Sequence, residues 1–338
     1  MSELILHVGM MKTATTFIQK NCAENRVKLR ELGITYPSKA FNQQKEVYGI
    51  CGSDVHWISN PTEQQVIAGK ALLKEIEQCN ERVLISSEAL STLSVDGIQR
   101  FVDTIGVPDK VVFTIRNLLS AIPSAWQQLI KGGSSLTLNE FINDLERTRP
   151  NRGGSWNTYS FGRSVANWSK FCPVELIFVD QGNGPFGAKA NDVWELFQNF
   201  IGINGLPVKA NASDSNLSLT PNLAEFFRLF NSYLKDRKGL KREDLGHLNN
   251  RIMKDFVFPT FSNRNLSKIT LDENLFDKVL SWQKVELKEA IENSQRCYGT
   301  PLSYDSFEDY CSGMKSTNET DKDIINEVFN MFYENYKR

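Results

Sequence analysis

The chain is 338 residues long, 41% hydrophobic and 23% charged, with 39 basic residues against 40 acidic ones. That length suits one large α/β domain or two ordinary ones, and the apolar share is enough for a sizeable core. A net charge of -1 provides no global positive field for a polyanion, so no nucleic-acid partner is expected and any anion site must be local.

No stretch approaches the roughly 18 consecutive apolar residues of a membrane span. The opening Met1-Ser-Glu-Leu-Ile-Leu-His-Val carries an acid where a secretory leader has basic residues. Cys22, Cys51, Cys79, Cys172, Cys297 and Cys311 form no C-x-x-C pair, and His7, His56 and His247 stand far apart. That pattern predicts reduced thiols, a cytoplasmic protein and no structural metal. Oligomeric state is left open by the sequence.

Leu4 to Val8 is a short apolar run closed by Gly9 and reads as a buried strand. Thr16 to Leu32 shows helical spacing and ends at Gly33, a natural helix terminator. Residues 38 to 62 have no period and hold Gly49, Gly52 and Pro61, so a long loop is expected there. A helix at 63–78, a strand at 83–87, a helix at 95–105 and a strand at 111–115 follow. Further helices are expected over Trp126 to Lys131, Leu138 to Arg147 (after a Thr137–Glu140 capping box) and Phe161 to Phe171, then a strand at 174–179 and a helix at 191–201.

Short apolar strands alternating with helices describe an α/β fold, a P-loop-like parallel sheet with helices on both faces. Ligands of such sheets collect at the carboxyl ends of the strands. Beyond about residue 211 the strand signal vanishes. Leu223 to Leu234 and Leu275 to Ile291 read as helical, with a charged helical tail at the end. The expected organisation is a core over 1–210 and a helical C-terminal extension over 211–338, either part of the same domain or a small separate one.

The most informative segment is Gly9-Met-Met-Lys12-Thr13-Ala14-Thr15-Thr16, between the first strand and the first helix. Backbone amides and the positive helix end create an anion site in that position. Lys12 adds a full charge and three threonines add hydroxyls, more than one N-cap needs. The order differs from G-x-x-x-x-G-K-[ST]: aligned on Thr16, Ala14 stands where the second glycine belongs and the lysine lies upstream. A second signal is Arg116 at the carboxyl end of Val111-Val-Phe-Thr-Ile115, with Ser124 eight positions on. Its guanidinium suits a phosphate, and one nucleotide could present phosphates to both places. Pro123 either occupies the first turn of the following helix or kinks one begun at Asn117.

These residues resemble the sulfotransferase superfamily, which uses 3′-phosphoadenosine-5′-phosphosulfate. Lys12-Thr13-Ala14-Thr15-Thr16 is similar to the family's 5′-phosphosulfate loop, and Arg116 with Ser124 to its 3′-phosphate motif. Leu6 through Gln19, Ile85-Ser-Ser-Glu88 and Asn216 through Pro221 look like the bacterial branch acting on carbohydrates and related acceptors. The resemblance spans roughly residues 4 to 235. Ala14 departs from the family's glycine, which requires φ below zero at that position, and Met10-Met11 replaces the usual pair before the lysine.

The resemblance implies sulfuryl transfer to a hydroxyl or amine of a carbohydrate or similar small acceptor, with 3′-phosphoadenosine 5′-phosphate as the product and no metal required. Lys12 would stabilise the leaving phosphate, residues 13 to 16 would hold the 5′-phosphate, and Arg116 with Ser124 the 3′-phosphate. Glu88, at the end of its strand, is the first candidate for the base and His56, in the irregular loop, the alternative. Tyr159 is expected either against the adenine or in the core. His7, Phe226, Phe227 and Phe230 read as core, Trp57 as a possible core plug, and Lys131 and Arg163 either as contacts for an anionic acceptor or as solvated charges. Two other readings are a nucleotide-dependent kinase with an atypical P-loop and an inert nucleotide-binding protein.

Overall fold

The structure, a computed structural model, describes residues 3–179, 190–210, 218–261, 268–314 and 330. It contains one all-parallel six-stranded sheet. The strands are β1 (Leu4–His7), β2 (Ile34–Thr35), β3 (Arg82–Ser86), β4 (Lys110–Ile115), β5 (Val174–Phe178) and β6 (Arg296–Tyr298). Their spatial order is β2-β3-β1-β4-β5-β6. The chain leaves β1 toward one side of the sheet and later returns to lay β4 on its other side. The crevice beside the carboxyl ends of β1 and β4 is therefore the place where such sheets bind ligands.

The helices linking the strands are α1 (Thr15–Glu24), α2 (Arg26–Glu31), α3 (Gln44–Cys51), α4 (Glu63–Glu77), α5 (Val95–Ile105), α6 (Leu118–Lys131), α7 (Leu138–Thr148), α8 (Phe161–Trp168) and α9 (Ala190–Ile201). Side chains alternate across a strand, and both faces of this sheet are covered. On one, Ile5, Leu84, Val112 and Ile177 pack with Ile18 and Cys22 of α1 and Trp194, Phe197 and Phe200 of α9. On the other, Leu6, Ile85, Val111, Phe113 and Leu176 are equally buried. There Phe101 of α5 meets the Trp168 ring of α8 at 5.9 Å.

Contacts along the backbone divide the chain into two compact units. The first comprises Met1–Leu118, Leu145–Ala212 and Leu280–Ser303, and the second Leu119–Asp144, Ser213–Val279 and Tyr304–Arg338. All six strands belong to the first. Strand signal does not end at 211 as expected, because β6 pairs parallel with β5, Cys297 opposite Leu176. It follows α13 (Glu273–Glu292), preceded in the chain by α10 (Pro221–Lys238), α11 (Arg242–Ile252), a π turn (Met253–Val257) and α12 (Phe258–Phe261); α14 (Phe307–Met314) comes after it. The second unit is helical. Within it, the buried amides of Asn231 and Asn249 both donate to the Ile130 carbonyl, at 2.9 and 3.1 Å, closing the carboxyl end of α6.

Several expectations are corrected. The single helix over Thr16 to Leu32 is two, broken at Asn25, whose side-chain amide donates to the carbonyls of Asn21 and Pro207 at 2.9 and 3.0 Å. The loop at 38–62 contains α3 and a short 3₁₀ turn, Gly52–Asp54. Of the two readings of Pro123 the second holds: α6 starts at Leu118, ahead of the expected Trp126, with Pro123 inside it, and Gln283 Oε1 caps it by accepting the Leu118 amide at 2.9 Å. Trp57 is exposed rather than plugging the core, its ring N–H donating to the Tyr48 hydroxyl at 2.8 Å. Phe227 is fully buried, whereas Phe226 and Phe230 are half-buried. Residues 216 and 217 of the Asn216–Pro221 stretch, and the tail at 315–338 apart from residue 330, lie outside the described residues.

Candidate functional site

The turn from β1 to α1 brings Lys12 to the carboxyl edge of the sheet. Glycine is required at position 9 by close approach, since a Cβ there would stand 1.8 Å from Thr15 Cγ2 and 2.9 Å from Thr114 Oγ1. Lys12 and Ala14 both take the left-handed conformation, with φ of 66° and 61°. The expectation of a negative φ at Ala14 is thus overturned: alanine sits where glycine would be unstrained, a cost of about 1 kcal/mol. An anion nest forms where right- and left-handed residues alternate, and Lys12 and Ala14 supply two left-handed positions one residue apart. Ala14 is also the N-cap of α1, with no side-chain cap and no acid in the helix's first turn.

The threonine hydroxyls serve other partners than the sequence suggested. Thr13 donates its proton to the Met10 carbonyl at 2.6 Å and is also bonded to the Thr114 hydroxyl at 2.9 Å. Thr15 donates to Glu88 Oε1. What the turn offers an anion is therefore its backbone amides, the half-buried Thr16 and the Lys12 ammonium.

Glu88 opens a 3₁₀ turn (Glu88–Thr92) after β3, capped by the Ser87 hydroxyl. Its second oxygen accepts from the Gln19 side-chain amide at 3.4 Å, and Gln19 in turn accepts from Asn42 at 3.3 Å. Arg116 follows β4 directly, and its guanidinium reaches the Lys12 carbonyl at 3.4 Å. Burial and the nearby Arg116 charge lower the Lys12 ammonium below its ordinary range, with Glu88 pulling the opposite way. Lys12, Glu88 and Arg116, widely separated in the chain, thus share one electrostatic neighbourhood at the carboxyl edge.

His56 is exposed, its imidazole facing the Gly154 carbonyl and Arg163; burial, then Arg163, lowers its pKa. None of its described contacts is with the Lys12 turn. Tyr159 is buried beside Trp156, and burial raises its phenol. Ser124 lies half-buried in α6, on the part belonging to the second unit. Lys131 is half-buried. Arg163 is not a solvated charge, because it is half-buried and donates to the Arg152 carbonyl.

Sequence reasoning missed Gln19, which bonds Glu88, and Thr114, the lone hydroxyl in a strand whose residues after Lys110 are otherwise apolar; that hydroxyl was the available signal. It placed His7 correctly in the core without its bonds. His7 Nδ1 lies 2.8 Å from Ser86 Oγ and Nε2 lies 3.2 Å from Thr114 Oγ1. Burial lowers its pKa to about 3. A surface cleft of about 720 Å³ beside Asp54, Pro61 and Arg100 shares no residue with this cluster. Among the described residues, no group of three His, Cys, Asp or Glu side chains converges on a metal-sized site, and no helix is long and apolar enough to cross a membrane.

Comparison of the chain with protein-family models, with curated proteins and with solved structures found no match.

Proposed function

We propose that the protein is a sulfotransferase that moves a sulfuryl group from 3′-phosphoadenosine-5′-phosphosulfate to a hydroxyl or amine of a carbohydrate or similar small acceptor. The observation that carries the reading is the gathering of Lys12, Glu88 and Arg116 around an uncapped helix start. Two cations and a concave row of amides suit a donor with separate phosphate groups. A carboxylate bonded to neutral side chains suits proton removal from an acceptor.

The donor supplies a sulfuryl group on a good leaving phosphate. The turn amides at 13 to 16 bind the 5′-phosphate, and Arg116 binds the 3′-phosphate and so selects against ATP. Lys12 stabilises the negative charge left on the 5′-phosphate oxygen. Glu88 accepts the acceptor's proton. One acceptor-to-sulfur bond forms, the sulfur–oxygen bond to the 5′-phosphate breaks, and the electron pair stays on that phosphate. Thr15 and Gln19 hold the two oxygens of Glu88 and fix the direction in which it takes the proton.

Thermal unfolding with added nucleotides tests the reading. Stabilisation by a ligand grows as RT ln(1 + [L]/Kd). Expected is a rise in Tm with 3′-phosphoadenosine 5′-phosphate that exceeds the rise with ATP or adenosine 5′-phosphate. A larger rise with ATP, together with magnesium-dependent ATP turnover, would replace the proposal with a kinase. Nucleotide binding without sulfation of any acceptor in a glycan panel would leave an inert binding protein.

A further inference from the structure

His7, Thr114 and Ser86 stand in a row on three neighbouring strands. His7 is in register with Ser86 across the β1–β3 pair. Thr114 lies two residues beyond Val112, the partner of His7 across the β1–β4 pair. Two-residue spacing keeps a side chain on the same face of the sheet, so all three share the face that carries α1. His7, Ser86 and Thr114 are 0% exposed and Thr13 is 1% exposed. A buried run of polar groups at this depth is tolerated only if each is hydrogen-bonded.

Counting protons orders the run. Thr13 has one hydroxyl proton and gives it to the Met10 carbonyl at 2.6 Å. The 2.9 Å bond between Thr13 and Thr114 then uses the Thr114 proton. Thr114 is left as an acceptor, so the 3.2 Å bond to His7 is donated by Nε2–H. With the one proton of a neutral His7 on Nε2, Nδ1 is bare and accepts from the Ser86 hydroxyl at 2.8 Å, whose oxygen also lies beside the Tyr36 hydroxyl. Every donor in the chain points the same way, from Ser86 toward the Lys12 turn, and a single imidazole tautomer satisfies it.

The end of that chain is Thr13, the residue between the two left-handed positions. Strained backbone persists where the surroundings over-determine it, and Thr114 holds this turn twice. Its side chain bonds Thr13, and its carbonyl accepts the Met10 amide at 3.3 Å. Arg116 lies two residues further along the same strand exit.

We infer that Thr114, oriented by the Nε2–H tautomer of His7, is a positioning residue that fixes the Lys12 turn against the strand leading to Arg116, presenting the two cations to one nucleotide as a preset pair. The inference rests on the nucleotide-binding reading of this site. It predicts that the hydroxyl of residue 114, far from solvent, governs affinity for the nucleotide.

The test uses Thr114→Val, which keeps the shape and removes the hydroxyl, and Thr114→Ser, which restores it. Calorimetric titration with 3′-phosphoadenosine 5′-phosphate should show affinity reduced about tenfold in Thr114→Val and restored to within about twofold of wild type in Thr114→Ser. Wild-type affinity in Thr114→Val, or equal weakening in both variants, would overturn the inference. Failure of the wild-type protein to bind this nucleotide would overturn the nucleotide reading itself. Nitrogen-15 spectra of the wild-type His7 ring provide a measurement independent of any variant's folding. A protonated Nε2 and bare Nδ1 are expected, and the opposite tautomer would break the chain and overturn the inference.

Discussion

At the carboxyl edge of the sheet, Glu88 takes its hydrogen bonds from the neutral side chains of Thr15 and Gln19, with two cations nearby. On α13 of the same unit, Glu289 is ion-paired to Arg152 at 2.7 Å, and its neighbour Glu286 accepts the Gly162 amide at 2.8 Å. Glu286 is almost wholly buried, and that burial pushes its pKa up to about 7. Arg149 lies across the rings of Trp156 and Trp282 at 5.6 and 5.8 Å. The second cluster uses charge as mortar, with acid set against base and aromatic rings filling the gaps. In the first, neutral donors hold both oxygens of the carboxylate. The first arrangement leaves its carboxylate at the sheet edge beside the Lys12 turn, whereas the second sets acid, base and aromatic rings against one another.

Substitutions at the sheet edge should break the comparison most strongly. Lys12→Ala is expected to cut the rate of sulfation by about 10²- to 10³-fold with a smaller change in nucleotide affinity, because its charge is called on as the bond breaks. Single-turnover rates beside calorimetric titration separate the two effects. Glu88→Gln should cost about 10²-fold in turnover while nucleotide binding stays intact; unchanged sulfation would clear Glu88 of the base role. Arg116→Ala should weaken binding of 3′-phosphoadenosine 5′-phosphate by about tenfold or more and leave adenosine 5′-phosphate much less affected.

The buried groups sharpen the comparison through pH. For Glu286 the folded pKa, about 7, lies above the ordinary carboxyl value of 4.5. The native state therefore binds more protons between those values, and this group's stability contribution is lost as pH rises toward and through 7. For His7 the folded value of about 3 lies below 6.5, so its contribution is present above 6.5 and is lost as pH falls toward 3. Each slope reaches at most about 1.4 kcal/mol per pH unit, and between pH 4.5 and 6.5 the two oppose. Denaturant titrations across that window should show Glu286→Gln gaining stability with pH relative to wild type and His7→Gln losing it. Two parallel profiles would contradict these environments.

The smallest expected effect is at Ala14. Glycine there relieves the left-handed strain but adds freedom to the unfolded chain, so Ala14→Gly should stabilise by only about 0.5 kcal/mol, readable as a small rise in denaturation midpoint.

Legibility from the sequence followed burial. Strands β1, β3, β4 and β5 announce themselves as apolar runs, since a strand covered on both faces must be apolar on both. Ile34–Thr35 is too short to make a pattern, and Arg296–Tyr298 exposes its first two residues at the sheet edge. Helix α3 hides in Gln44–Cys51 because its polar residues and internal Gly49 blur the period. Lys12, Glu88 and Arg116 were visible because each follows a recognisable strand. Nothing local reveals that Thr13 meets Thr114, or that Thr15 turns to Glu88 rather than outward, since these bonds join residues 101 and 73 positions apart.

The position of β6 in the chain has a consequence for biosynthesis. It completes the sheet by pairing with β5, yet more than a hundred residues, including α10, α11 and α13, are translated between them. Domains emerging from the ribosome fold as their parts become available. Until position 298 clears the exit tunnel, the outer flank of β5 must wait with its amides and carbonyls unmatched by their native neighbour. A nascent chain stalled before that point would present a sticky ribbon to any passing polypeptide, and would be a natural client for a chaperone.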